Sequence, residues 1–243
     1  MLDLTALREL ISQGDHVIRI HDDTSLTKLN GDNEFVKMDY DDYGPGEAWF
    51  DRWCDLDAES KADGVCAHVT GRWGRGPGRE YFVDDPWIST TSDLDWAIWE
   101  IARRLSRHEP VNEVKMSIIE KEGFWDLEHP YYRDCRDLHY NMHVPSFLQD
   151  AFDSDTCAVS QRAFLLAGQS YEVLYFGKIR AEQVLRTYTF TPNYLPCRLL
   201  PEWLGYGKTR AFSWLNNLIW DPHSTSFRLA EGLIMDKRSR LSC

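Results

Sequence analysis

Leu4, Leu7, Leu10 and Ile11 recur on one helical face and Gly14 follows as a stop, which predicts a first helix over Asp3–Gln13. The pattern then changes period. In Val17-Ile18-Arg19-Ile20-His21, alternation sets Ile18 and Ile20 on one face of a short strand and Arg19 and His21 on the other. The strongest helical rhythm comes later: Leu94, Ala97, Ile98, Ile101, Ala102 and Leu105 keep the i, i+3, i+4, i+7 spacing. Ser92 stands ready to cap this helix, and Arg103, Arg104 and Arg107 crowd its C-terminal end, where the dipole favours cations. Trp87-Ile88-Ser89 leads into it as a strand, after extended structure at Tyr81-Phe82-Val83.

Elsewhere the periodicity predicts a strand at Val114–Glu120, helices at Val144–Phe152 and Ser160–Ala167, and a strand at Tyr171–Phe176. Gly177 then opens a short strand-and-helix segment running to Phe190. From Asp22 to Arg79 the signal is weak: Asp39–Gly46 is turn-rich and Gly71–Gly78 holds four glycines, with a strand expected near Gly64–Thr70. Pro192–Pro201 reads as a linker, and Trp203–Cys243 as an extension with a helix around Ala211–Ile219. Neither an internal repeat nor a low-complexity tract interrupts this order. The expected class is α+β.

Composition narrows the function. Apolar residues make up 43% and aromatics 13% of the chain, which suits a packed core. A net charge of −12 argues against a nucleic-acid partner or an anionic membrane surface, both of which call for a positive field. Met1–Gly14 lacks a basic segment followed by an apolar core, and no apolar run approaches the roughly 20 residues that span a bilayer. The six cysteines include no C-x-x-C pair, so they read as reduced thiols of a cytoplasmic protein, with three bridges in a secreted one as the alternative.

Several motifs fail on inspection. Gly205-Tyr206-Gly207-Lys208-Thr209 ends like a phosphate-binding loop, but Glu202 occupies the place of its first glycine. Gly168-Gln169-Ser170-Tyr171-Glu172 resembles a nucleophile elbow whose closing glycine is replaced by Glu172. Asp39–Gly44 has the acidity of a calcium loop, yet Phe50 stands where the bidentate glutamate is needed. Cys135, His139 and His143, spaced by four, would share a helix face able to hold a transition metal; ordinary packed histidines in an aromatic segment are the competing reading, and no metal is expected. Arg72, Arg75 and Arg79 among glycines offer either an anion-binding loop or a plain surface loop.

Three polar features remain, in order: Arg19 within Ile18-Arg19-Ile20-His21, Ser89-Thr90-Thr91 within Trp87–Thr91, and Glu172 opening Tyr171-Glu172-Val173-Leu174. This pattern resembles the arginine–serine–glutamate signature of ADP-ribosyltransferases over about Val17 to Val184, and is similar to uncharacterised fungal domains carrying the same arrangement. The resemblance implies an ADP-ribosyltransferase-like split β-sandwich with flanking helices over residues 1–191, followed by a linker and C-terminal extension over 192–243. It implies NAD as substrate, cleavage of its nicotinamide–ribose bond, and transfer of ADP-ribose to a protein, another acceptor or water. Glu172 would be catalytic, with Arg19, His21, Ser89, Thr90 and Thr91 binding NAD.

The chemistry explains those residue types. Breaking the ribose–nicotinamide bond builds positive charge on the sugar, which a fixed carboxylate such as Glu172 stabilises. Arg19 would pair with a pyrophosphate oxygen, Ser89 would hold Glu172 or the ribose, Thr91 would support the neighbouring strand, and His21 would line the same cleft. Family members that modify arginine carry Gln or Glu two residues before the catalytic glutamate. Here that position is Ser170, which weakens the case for arginine-directed transfer. Against the enzyme stands a catalytically inactive interaction domain of the same fold, for which 10 tryptophans and 11 tyrosines would furnish an aromatic interface. Tryptophan platforms for a carbohydrate are a third reading.

Overall fold

The computed structural model describes residues 2–37, 53, 55–71, 86–107, 111–121, 141–153, 160–205 and 213–241. In chain order these form α1 (Leu4–Ser12), β1 (His16–His21), β2 (Phe35–Val36), α2 (Ala58–Val69), β3 (Trp87–Thr91), α3 (Leu94–Leu105) and β4 (Val114–Glu120). Then come β5 (Asn141–His143), α4 (Val144–Asp153), α5 (Gln161–Ser170), β6 (Glu172–Phe176), β7 (Lys178–Ile179), β8 (Val184–Phe190) and α6 (Phe227–Leu241). The chain divides into two compact units. The first takes Met1–Ser25, Thr91–Glu120 and Leu185–Cys243; the second takes Leu26–Thr90 and Lys121–Val184. The architecture is mixed helix and strand, and β1 with β3 and β4, β2 with β7, and β5 with β6 pair antiparallel. No helix among the described residues is long and apolar enough to cross a membrane.

In the first unit, β1 pairs with β4 along its whole length, from His16↔Glu120 to His21↔Lys115, and β8 follows β4. The expected alternation holds. Ile18, Ile20, Met116 and Ile118 meet Leu7 and Ile11 of α1 and Ala97, Ile98, Ile101 and Leu105 of α3 in one core. Each Leu, Ile or Met side chain among them contributes about 1.5–3 kcal/mol on burial. Asp3 caps α1 by accepting from Thr5 N and Ala6 N, at 3.0 and 3.1 Å, and Gly14 leaves the helix at φ +91°. The cap of α3 is Asp93 rather than Ser92: its carboxylate accepts from Trp96 N at 3.0 Å and its carbonyl from Ala97 N.

The C-terminal third departs from expectation. Within Pro192–Pro201, read from sequence as a linker, Cys197 and Leu199 enter the first unit's core, and Leu2 N donates to Pro196 O at 2.9 Å. The helix expected around Ala211–Ile219 is, among its described residues, only a 3-10 turn over Trp214–Asn217, because Asn216 and Asn217 are poor helix formers. The long helix is instead α6, which buries Phe227, Ala230, Ile234 and Lys237 at spacings of three and four.

An ion network fastens α6. Asp95 Oδ1 accepts from Arg8 Nη2 at 2.7 Å and from Trp203 Nε1 at 2.8 Å, while Asp95 Oδ2 accepts from Arg238 Nη2 at 3.0 Å. Glu202 Oε1 takes a second bond from Arg8 Nη1 at 2.7 Å and weaker ones from Arg238. Residues from α1, α3, the Pro201–Trp203 turn and α6 thus share two carboxylates, and Lys237 donates to Leu204 O beside them.

The second unit holds the short β2–β7 pair and the strand order β5-β6-β3. Its core joins Trp53, Val65, Trp87, Val144, Leu148, Ala163, Ala167, Leu174 and Phe176. Here the strand expected near Gly64–Thr70 is replaced by α2. Ala62, Val65 and Cys66 are its buried face, a helical spacing carried by small side chains.

Two measurements test these contacts. Asp95→Ala removes one of the two carboxylates that Arg8 and Arg238 share, and the acceptor of the Trp203 indole N–H, so urea unfolding should show a loss of about 2–3 kcal/mol, against less than about 0.5 for the exposed Arg240→Ala. Burial, with Asp95 and Glu231 nearby, pushes the Asp93 carboxyl up to about 6. The unfolded chain therefore loses that proton first, and Asp93 subtracts stability as pH rises from about 4 to about 6. Asp93→Asn keeps the cap, so the gap between mutant and parent should widen in the mutant's favour across that window.

Candidate active site

Two of the residues singled out by sequence meet in the second unit, around a third that was not. On β3, Trp87 and Ser89 share a face; on β6, Glu172, Leu174 and Phe176 do. Trp87 packs edge-on against Trp53 and Phe176, with ring centroids 4.9 and 5.2 Å apart. The apolar face of α2 belongs to the same core, and its last turn brings in His68. His68 Nε2 lies 2.7 Å from Ser89 Oγ and 3.7 Å from Glu172 Oε1, and Glu172 is only 9% exposed. One imidazole nitrogen thus links the serine and the glutamate.

That geometry limits the chemistry. A serine nucleophile needs the imidazole to take its proton at one nitrogen while an acid holds the other. Here serine and glutamate approach the same nitrogen, which does not build such a relay. What the arrangement does supply is a nearly buried carboxylate beside an imidazole that a serine hydroxyl orients.

Thr90 points to the opposite face of β3, where its hydroxyl donates to Val173 O at 2.7 Å and ties β3 to β6. Thr91 lies in the first unit, opposite Ile18, and its hydroxyl accepts from Asp93 N at 3.0 Å at the entry to α3. Ser170 turns inward, its hydroxyl donating to Leu166 O and Ala167 O at 3.2 and 3.3 Å. Tyr171 then reverses the chain at φ +43° and Glu172 begins β6. A left-handed tyrosine carries a strain of about 1–2 kcal/mol, held here by the helix end and the strand start.

Arg19 and His21 stand in the first unit on one face of β1, at 7% and 3% exposure, opposite Ser117 and Lys115 of β4. His21 Nε2 is 3.1 Å from Ser117 Oγ, which is 2.7 Å from Thr187 Oγ1 on β8. Burial, then the charges of Arg19, Lys115 and Arg104, push the imidazole down to about 3 despite Asp22.

His143, the one described member of the Cys135, His139 and His143 set, pairs its Nδ1 with Ser146 Oγ at 2.8 Å. No metal-holding cluster occurs among the described residues. Cys135, His139, Arg72, Arg75, Arg79, Asp39–Gly44 and Tyr206–Thr209 lie outside them.

No protein-family model and no curated protein matches the chain. Among solved structures, EcPltA is similar at a TM-score of 0.40 and 14% identity, over 73% of this chain and 76% of that one. A likeness so distant assigns no activity to this chain.

The cluster makes its own test. If His68 and Ser89 share a hydrogen bond, a double-mutant cycle of His68→Ala and Ser89→Ala should return a coupling of about 1 kcal/mol in urea unfolding; additive losses would dissolve the pair.

Proposed function

We propose that the protein binds NAD and cleaves its nicotinamide–ribose bond, passing ADP-ribose to a protein, another acceptor or water, on an ADP-ribosyltransferase-like fold. The observation that carries this reading is the meeting of Ser89 and Glu172 at His68 Nε2, at 2.7 and 3.7 Å, on adjoining strands. As nicotinamide departs, the bond's electron pair leaves with its ring nitrogen and C1′ of the ribose becomes electron-poor. Glu172 stabilises that cation, and His68 and Ser89 keep the carboxylate in place. The resemblance assigns Arg19, in the first unit, to the pyrophosphate, where a guanidinium makes charge-assisted contacts with an anion. Thr90 and Thr91 act through the backbone: one ties β3 to β6, the other starts α3.

Nicotinamide release from NAD by the purified protein tests the reading. Glu172→Gln keeps the shape and removes the charge, and should lower kcat by roughly 10²–10³ with little change in NAD affinity. Equal turnover in parent and mutant would remove Glu172 from the chemistry. Absence of both turnover and NAD binding in the parent would favour the interaction domain.

A further inference from the structure

α6 has two unlike faces. Phe227, Ala230, Ile234 and Lys237 turn into the first unit, while Arg228, Leu229, Gly232, Met235, Asp236 and Ser239 are exposed and recur at intervals of three and four along the opposite face. Leu229 is 66% exposed and Met235 51%, and Gly232 sits between them. A glycine in a helix interior weakens the helix relative to alanine. No described atom lies within 4 Å of where a Cβ on Gly232 would stand, so packing within the described chain gives no reason for it.

The exposed residues are ordered symmetrically about that glycine. Leu229 and Met235 stand three positions away on either side, and Arg228 and Asp236 stand four. When a helix pairs antiparallel with its own copy across a twofold axis at Gly232, each residue faces the one equally far beyond the axis. Leu229 of one copy then meets Met235 of the other, and Arg228 meets Asp236. Both pairs occur twice, and the two glycines let the backbones approach closely. We propose that the exposed face of α6 is a self-association surface, on which a second copy of this chain docks with its own α6 antiparallel about Gly232.

Charge decides the occupant. A partner of one sign would be attracted by Arg228 or Asp236 and repelled by the other, whereas a second copy satisfies both. The whole chain carries −12, which sets copies against one another, but α6 is locally the reverse. Arg228, Lys237, Arg238 and Arg240 there outnumber Glu231 and Asp236. Lys237 and Arg238 are committed inward, to Leu204 O and to Asp95 and Glu202. Asp236 holds Arg240 through Oδ2 at 2.7 Å, an exposed pair of small value that leaves its other oxygen to a partner's guanidinium. The surface stands apart from the NAD reading and does not depend on it.

The 15-residue helix is about 22 Å long, and one such face covers less than the roughly 1,200–2,000 Å² of a stable interface, so the parent should be a weak dimer with a Kd of about 10–500 µM. Sedimentation velocity of the full chain, up to about 1 mM, reads that association. Arg228→Asp and Asp236→Arg each set like charges opposite one another twice, and each alone should raise the Kd at least about tenfold. Mixed in equal amounts, the two variants should pair with each other at about the parent's affinity, because each supplies the sign that the other lacks. Both sites are exposed, and urea midpoints near the parent's would show that the packing of α6 survives. Gly232→Gln gives an independent reading: a better helix former in open space, it should raise the urea midpoint and yet weaken the dimer. A parent that stays monomeric at the highest concentration overturns the proposal. So do charge variants that associate as the parent does, a mixture that gains nothing over its components, or a Gly232→Gln dimer of unchanged strength.

Discussion

A charge removed from water has to be met by its complement, and much of this molecule is arranged around that constraint. In the first unit Asp95 and Glu202 are shared by Arg8 and Arg238, drawing residues of α1, α3 and α6 onto two carboxylates. At the other end of α3, Glu100 at 4% exposure accepts from Arg103 and Arg104, and Arg104 continues to Asp22. Burial alone would raise the Asp22 carboxyl, but hydrogen bonds from Thr24 and Arg104 hold it at about 2. Such pairs add little net energy over an apolar core of the same shape, but breaking one is expensive. They therefore fix which helix ends meet more than they raise stability.

The residues assigned to NAD lie under the same constraint. Arg19 and His21 are buried on one face of β1, and Lys115, Arg104 and Asp22 are among the charged groups that act on His21. In the second unit Glu172 meets an imidazole at 3.7 Å, too long for a strong hydrogen bond and near enough for attraction. On the proposed reading, this carboxylate is the group that meets the charge developing on the sugar.

Where periodicity was carried by large apolar residues, sequence and structure agree. Leu4, Leu7 and Ile11 mark α1, the Leu94–Leu105 rhythm marks α3, and Val114–Glu120 is β4 to the residue. Agreement fails where the inward residues are small. In α2 the pattern Ala62, Val65, Cys66, Val69 has helical spacing but little hydrophobic weight, and Gly64 with Val69 and Thr70 suggested a strand. His68 was lost with that helix, since a strand would not have carried it to Ser89. α6 was missed similarly: its buried positions include Ala230 and Lys237, and only Phe227 and Ile234 are bulky and apolar. Ser89 and Glu172 could be placed on strands because large apolar residues mark both, Trp87 and Ile88 in β3 and Val173–Phe176 in β6.

The junction before Glu172 bears on what can receive ADP-ribose. On the proposed reading, Ser170 stands where arginine-modifying ADP-ribosyltransferases carry Gln or Glu. Here α5 continues through Ser170, whose hydroxyl is spent on Leu166 O and Ala167 O, and the residue is 8% exposed. No rotation of so short a side chain replaces a glutamine's reach, and restoring one at a position packed into the helix would disturb α5. The exposed residue at this bend is Tyr171, 51% exposed and strained. An aromatic ring offers a surface for stacking or apolar contact and a single hydroxyl, not a carboxylate to orient a guanidinium. On the proposed reading, then, the acceptor has to be one that needs no anionic guide, and water meets that requirement with the least apparatus.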